Sequence, residues 1–571
     1  MSQDVQKCLR KLEIIRRQID WEVKNERKMF ISQLDKLIEA WTKQASISKR
    51  QRSELELSIK LQDILEPKEI NDVLIDSLTW KMQSDARVFI QFLIETGYED
   101  EPDFNEDAGP LARRITPINH AARGRSGFRH ILIPELFQIY HRFDVNYIDE
   151  SGLTHFHVAC MSGCDDVVEK FLEHGHDPNY VWRETGDSPL HMALYYGNMR
   201  IVHLLLKSGA DPNLANKAGS TPLHVICRES SKGLDVAVWL FEASHEKYRP
   251  VQVDVQDKVG NSPLHLALRC GGQDLFEWLL KRITKPNLAD LEGWTPLHLI
   301  CDREDEDRAR KEDESRCFLP FHPTNEFRLV KLFLDLHGDE VRVDARDRSG
   351  NTPLHLALAR QRLNAAELLL TRGADPNLPN AEGVTPLHLI CQHDDTDHLV
   401  AKLFRLCDAR NQLVYVDAWD DKGRTPLQWA VAKYLTRTID LLLMRGADLT
   451  DFVFPSESQF DLSVCRWRDQ ESRFESRKWA SMVLEIVERL HRGGYRLELN
   501  DATTYMRTFD HFGWTKFQVT LEMGALCRKW ALGFFLQLIH YRLPIIPCEM
   551  ILDNLEDQDI YNICVASCRK N

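Results

Sequence analysis

Seven of the 22 histidines, which recur in one motif, and fourteen cysteines are the side chains of this 571-residue chain best suited to metal or acid–base chemistry. A zinc site needs about four such donors converging on one point, and a general base needs a reacting group within hydrogen-bond reach. The spacing argues against both. His191, His224, His265, His298, His355 and His388 each end a Thr/Ser-Pro-Leu-His tetrad, and His157 ends a weaker copy. One His per repeated unit puts neighbouring copies roughly 10 Å apart, too far to share an ion. Cys160 with Cys164 and Cys564 with Cys568 are spaced by one helical turn, but no matching His or Cys pair stands near either. Cys160, Cys227, Cys301 and Cys391 recur at one position of the unit, where small, buried, reduced thiols are expected. The chain contains no Gly-x-x-x-x-Gly-Lys, His-Glu-x-x-His, Cys-x-x-Cys or Gly-x-Ser-x-Gly. Neither catalysis, a cofactor nor a resident metal is expected.

The tetrads belong to helices. Thr or Ser caps the first helix of each unit, and Pro follows at the first helical position, where its missing N–H costs nothing. A second apolar helix such as residues 199–206 leads to Gly209-Ala210-Asp211-Pro212-Asn213, and Gly373 occupies the same place further on. Glycine there ends the helix with a positive φ, and Asp-Pro-Asn opens a turn. Weaker copies are Thr116-Pro117-Ile118-Asn119, Thr154-His155-Phe156-His157 and Thr425-Pro426-Leu427-Gln428, making nine. Their capping residues follow one another at 38, 34, 33, 41, 33, 57, 33 and 40 residues. In motif and period, residues 111–454 resemble the ankyrin family. The resemblance implies a mainly α fold: a solenoid of about nine repeats with projecting β-hairpin turns, held by nearest-neighbour contacts. It also implies that the histidine ties a hairpin to a helix.

A second period lies over the first. Met192-Ala193-Leu194, Leu266-Ala267-Leu268 and Leu356-Ala357-Leu358 alternate with Val225-Ile226-Cys227, Leu299-Ile300-Cys301 and Leu389-Ile390-Cys391. Extra residues follow only the Cys class, at 242–251, 302–325 and 406–414. They should lengthen alternate loops, where added length costs little. The charged run beginning at Asp302 reads as a solvated loop, with a docking site for a basic partner as the sharper alternative.

A net charge of −14 argues against nucleic acid or an anionic membrane as the main partner. The first twenty residues lack the apolar core of a secretory signal, and the apolar run at 530–539 is too short to span a bilayer. The cysteine scatter does not suggest a disulfide framework, so a cytoplasmic or nuclear location is expected. Residues 1–110 show apolar positions at helical spacing, fitting a helical cap over the open end of the repeats. A coiled coil in the first forty residues is the alternative.

Residues 455–571 read as a helical C-terminal domain, with an F-box-like pattern at 543–568. F-box motifs show Leu-Pro, then an Ile-Leu pair, a Leu and an acidic-aliphatic pair at fixed steps. Leu543-Pro544, Ile551-Leu552, Leu555 and Asp559-Ile560 match without a gap, although Ile545-Ile546-Pro547 departs from the usual first helical turn. This arrangement resembles the PRANC domain of poxvirus ankyrin proteins, and the segment from Asp144 to His157 looks most like parasitoid-wasp ankyrin proteins. The resemblance implies a substrate receptor of a cullin–RING (SCF-type) ubiquitin ligase. In it Leu543, Pro544, Ile551, Leu552, Leu555 and Ile560 would face the ligase adaptor, with Asp559 capping the second helix. An amphipathic helix pair that only closes the solenoid is the alternative, and with it a plain scaffold or inhibitor. For the client, Trp182, Trp294 and Trp419 fall at variable hairpin positions. Trp294 and Trp419, beside Arg346 and Arg348, are the candidate anchors for a protein on the concave surface; packing of each Trp on its neighbouring hairpin is the competing expectation.

Overall fold

The computed structural model describes residues 3–45, 64–80, 83–101, 111–124, 129–229, 233–244, 246–270, 272–302, 326–393, 397–455 and 485–495. These fall into two compact units, one through Leu291 and one from Glu292 onward. The F-box-like residues, Cys564 with Cys568, and 303–325 lie outside the described residues.

In the first unit, helices Gln3–Arg16, Lys24–Ala45, Pro67–Trp80 and Gln83–Glu95 precede the repeats. Leu12, Phe30, Leu34, Leu37, Val73, Phe89 and Phe92 are buried among them. The first forty residues form two helices that pack on one another. Asp100, its side chain fully buried, lies 3.0 Å from the Arg114 guanidinium and accepts the Tyr147 hydroxyl at 2.7 Å. Those contacts tie Asp100 to the first repeats, where Leu111–Arg113 and Asn146–Ile148 form a parallel two-stranded sheet.

Each repeat is an inner helix, an outer helix and a projecting finger. Inner helices such as Pro189–Tyr195, Pro263–Cys270 and Pro386–Gln392 begin at the Pro of the tetrad. Ser188, Thr385 and Thr425 accept the backbone N–H three residues on, and Leu190, Leu223, Leu264, Leu354 and Leu387 are buried between helices. Gly209 and Gly373 take φ of +90° and +93° where the outer helices stop.

The pairwise duplication is visible in the outer helices. From Met199–Lys207 onward they run 9, 11, 8, 12, 9, 12 and 9 residues. Residues 242–251 and 406–414 thus lengthen the end of an outer helix and its exit toward the finger. The stretch at 302–325 instead lies between the inner helix ending at Asp302 and the outer helix starting at Glu326. The fingers differ from the expected β-hairpins. Beyond Leu111–Arg113 and Asn146–Ile148, the described fingers are turns, because five residues closed by an Asp or Asn side chain leave no room for a ladder. Asp257 Oδ1 accepts the N–H groups of Val259 and Asn261, and Asn380 Oδ1 those of Glu382 and Val384. Gly350, at φ +74°, sits where a Cβ would come within 2.5 Å of the Ala381 nitrogen on the next finger.

In the second unit the repeats continue through the outer helix Thr436–Met444. Residues 485–492 are helical, and Arg489 on that helix binds Asp440 at 2.8 Å while Phe452 meets Tyr495 edge-on.

Candidate functional site

The histidines are structural, and the geometry shows how. In each tetrad the capping residue lies against Nδ1: the Thr221 N–H donates to His224 Nδ1 at 3.1 Å, and the Thr352 N–H to His355 Nδ1 at 3.1 Å. Nδ1 is therefore the acceptor and Nε2 carries the proton. Nε2 then donates to a carbonyl of the following finger: His191 to Ser220, His224 to Asn261, His298 to Asn351, His355 to Val384 and His388 to Arg424. Asn119 Nδ2 makes the same bond to Leu153, and Gln428 Nε2 to Val453, so an amide serves where the tetrad lacks His. Burial lowers the imidazole pKa to about 4 at both His157 and His355, which keeps them neutral donors. Cys160, Cys227, Cys301 and Cys391 are buried thiols outside any disulfide, at matching positions.

With the tetrad histidines and the recurring cysteines occupied in this way, the groove between fingers and inner helices is the candidate functional surface. The fingers of each unit are strung together by backbone bonds. In the first unit Lys217 N donates to Thr185 O and Lys258 N to Ala218 O; in the second, Arg348 N donates to Glu292 O, Ala381 N to Ser349 O and Asp421 N to Glu382 O. That stringing presents side chains at fixed intervals along a rigid edge.

The four client candidates all lie in the second unit. Trp294 is half-buried with its ring 6.3 Å from His298. Trp419 is 52% exposed beside the finger that begins at Asp420. Arg346 and Arg348 are exposed on the finger next to that of Trp294, and Arg348 reaches Glu292 at 3.0 Å. Arg346 and Arg348 thus adjoin Trp294, whereas two fingers separate Trp294 from Trp419. At roughly 10 Å per repeat the two indoles are about 30 Å apart and cannot enter one pocket. Asp420 is held by Arg424 and Trp429: burial opposes its charge, but bonds from the Arg424 backbone and side chain and from the Trp429 indole hold its carboxyl below the ordinary range.

The sequence reading did not single out the concavity of the first unit. A pocket of about 420 Å³ draws on four consecutive repeats: Arg123, Met161, the finger residues Trp182, Glu184 and Asp187, the inner-helix residues Met192 and Tyr195 with Tyr196 at the helix end, and Asn216 and Arg228. Trp182 had been noted as a variable aromatic, and its indole N–H donates to Ser151 on the neighbouring finger at 2.9 Å. The tyrosine pair was legible by aligning inner helices: the positions of Tyr195 and Tyr196 carry Arg269 and Cys270, or Ala359 and Arg360, in other repeats.

Comparison with known proteins agrees with this geometry. Family models described as ankyrin repeats (many copies) match residues 156–206 and 336–390, and one described as ankyrin repeat matches 259–291 and 422–452. The chain is similar to the nuclear factor NF-kappa-B p105 subunit of Gallus gallus, at 26% identity over 44% of this chain and 23% of that protein. Similarity to NF-kappa-B inhibitor zeta of Homo sapiens is 24% over 52% and 43%, and to the B-cell lymphoma 3 protein homolog of Mus musculus 28% over 42% and 48%. The matches thus span less than half the length of each of these relatives. The crystal structure of the ankyrin repeat domain of Bcl-3 aligns with 42% of this chain and 95% of its own, at 25% identity and a TM-score of 0.33. The repeats of this chain are ankyrin repeats.

Proposed function

We propose that the repeats hold a protein client and that the C-terminal segment links it to a ubiquitin ligase whose catalytic machinery lies in other chains. The observation that carries the first half is the groove: Trp182, Tyr195 and Tyr196 line one concavity, and Trp419 stands exposed beside a finger. Large aromatics left in water at rigid, regularly spaced positions are the side chains that anchor protein interfaces. Trp294, Arg346 and Arg348 extend the client surface in the second unit. The second half rests on the ungapped sequence pattern Leu543-Pro544, Ile551-Leu552, Leu555, Asp559-Ile560. The chain works in the cytoplasm or nucleus; no helix among the described residues is long and apolar enough to cross a membrane.

Co-purification tests the ligase link. The adaptor should accompany the full-length chain and be lost with truncation before Leu543 or with Leu552→Asp/Leu555→Asp, at an unchanged thermal midpoint. Undiminished capture by the double variant would leave the second reading, a scaffold or inhibitor without a ligase. That reading draws support from relatives whose names call them NF-kappa-B inhibitors.

A further inference from the structure

In the first unit, ion pairs join the inner helix of one repeat to the head of the next finger. Arg123 binds Asp149 at 2.7 Å and Arg269 binds Asp290 at 2.7 Å, each carboxylate almost fully buried. Both arginines stand seven residues after the capping Thr or Ser, and Arg228 with Asp257 repeats the pattern in the sequence. Twice in between, the pattern is replaced. Met161 stands at the arginine position with Trp182 at the head of the next finger, and then Tyr195 with Asn216. Trp182 also takes a position that Asp or Asn holds in the other fingers, and its finger is one residue longer. A repeat protein that abandons its own rule at two adjacent steps, and lines one pocket with the replacements, points to use rather than stability.

We infer that this pocket receives a cationic side chain, lysine or arginine, from an extended segment of a protein client. The inference rests on the reading that the repeats hold a client. The Tyr195 and Tyr196 rings meet at 73° with centroids 5.1 Å apart, forming a corner, and the two residues are 52% and 40% exposed. Trp182 adds a third ring to the lining. Aromatic faces attract a cation, and Met161 and Met192 offer an apolar surface for its aliphatic stem. Glu184 lines the pocket with no hydrogen bond or ion pair among the described residues, and Asp187 engages one carboxylate oxygen, with Asn216 Nδ2 at 2.7 Å. Of the two cations in the lining, Arg123 is answered by Asp149, and Arg228, from the next repeat, has a partner of its own. An acidic side chain would meet two carboxylates. The net charge of −14 favours approach of a basic segment.

The test titrates the full-length chain with a fluorescein-labelled octapeptide alternating glycine with lysine and arginine, and with counterparts bearing norleucine or glutamate. The basic peptide should bind tightest and weaken with salt. Glu184→Lys and Tyr195→Arg should each weaken it about tenfold, one decade being about 1.4 kcal/mol, at an unchanged thermal midpoint. Tyr195→Arg introduces the residue other repeats already use there, so loss of fold would not account for loss of binding. Equal affinity for the norleucine peptide, tighter binding of the glutamate peptide, or indifference to both substitutions overturns the assignment. A client captured from the cell through other fingers, with the pocket variants silent, would remove the pocket while leaving the client reading in place.

Discussion

The fingers at 182–187 and 257–261 do the same mechanical work with different parts. Both close with a pair of backbone bonds: Trp182 N to Asp187 O and Gly186 N to Trp182 O in one, Asp257 N to Asn261 O and Gly260 N to Asp257 O in the other. The second is also clamped from within by the Asp257 carboxylate, at 2.9 Å from Val259 N and 2.8 Å from Asn261 N. The first has an indole in that place. Its Nε1–H reaches sideways to Ser151, whose hydroxyl in turn donates to Asp149, so the neighbouring finger adds to the one internal bond, from the Asp187 N–H to Thr185 Oγ1. The difference shows that the backbone scaffold tolerates losing the carboxylate clamp where Thr185 and a neighbour take over, and that doing so frees a position for a half-buried aromatic.

Transplanting the exception breaks the comparison most sharply. Asp257→Trp removes a charged acceptor from two N–H groups in a finger with neither the extra residue nor a Ser151 equivalent. It should cost about 3 kcal/mol in a denaturant titration. A loss below about 1 kcal/mol would show that the backbone pair alone holds a finger, and the contrast would dissolve.

The histidine ladder offers an effect of about 2 kcal/mol that depends on pH. His355 has a folded pKa of about 4 because burial disfavours its charge, against an ordinary value near 6.5. A depressed folded pKa means the unfolded chain binds the extra proton. The stability from this group is therefore present above pH 6.5 and is lost as pH falls toward 4, by about 2 kcal/mol between pH 7 and pH 5. His355→Gln substitutes the amide that Gln428 already uses, accepting from the Thr425 N–H at 2.8 Å and donating to Val453 O at 2.8 Å. That variant should match the parent at pH 7 within about 1 kcal/mol and lose less stability at pH 5. Parallel pH profiles for the two would mean that His355 is not the titrating donor.

These contrasts also mark what was legible in the sequence. Thr, Pro, Leu, His and Gly recur because a cap, a first-turn ring, a buried contact, a bridge and a positive φ each demand one residue type, so the repeats and their pairwise alternation could be read directly. The histidine bridge followed from the resemblance, and Asn119 and Gln428 show it surviving a change of residue. Finger geometry was less legible, since a turn clamped by Asp and a short hairpin share the same composition. The pocket at Trp182, Tyr195 and Tyr196 escaped because its signal is a departure from Arg–Asp pairing between neighbouring repeats, visible only when positions are compared down the stack. The F-box-like residues remain a reading of spacing alone.

The smallest effect separates surface from scaffold in the second unit. Arg348 and Glu292 pair at 3.0 Å, but with 70% and 62% of their side chains exposed, water competes for both charges. The link between their fingers is made by the backbone, Arg348 N to Glu292 O at 2.8 Å, which no side-chain substitution removes. Arg348→Ala should therefore change stability by less than about 0.5 kcal/mol and leave the thermal midpoint within a degree or two. Arg269→Ala should cost more, because it removes the cation beside the Asp290 carboxylate, which is only 3% exposed. With stability unmoved, a drop in client binding by Arg348→Ala would place the client on this finger beside Trp294. A fall in midpoint as large as that of Arg269→Ala would instead make Arg348 part of the scaffold and move the client surface elsewhere.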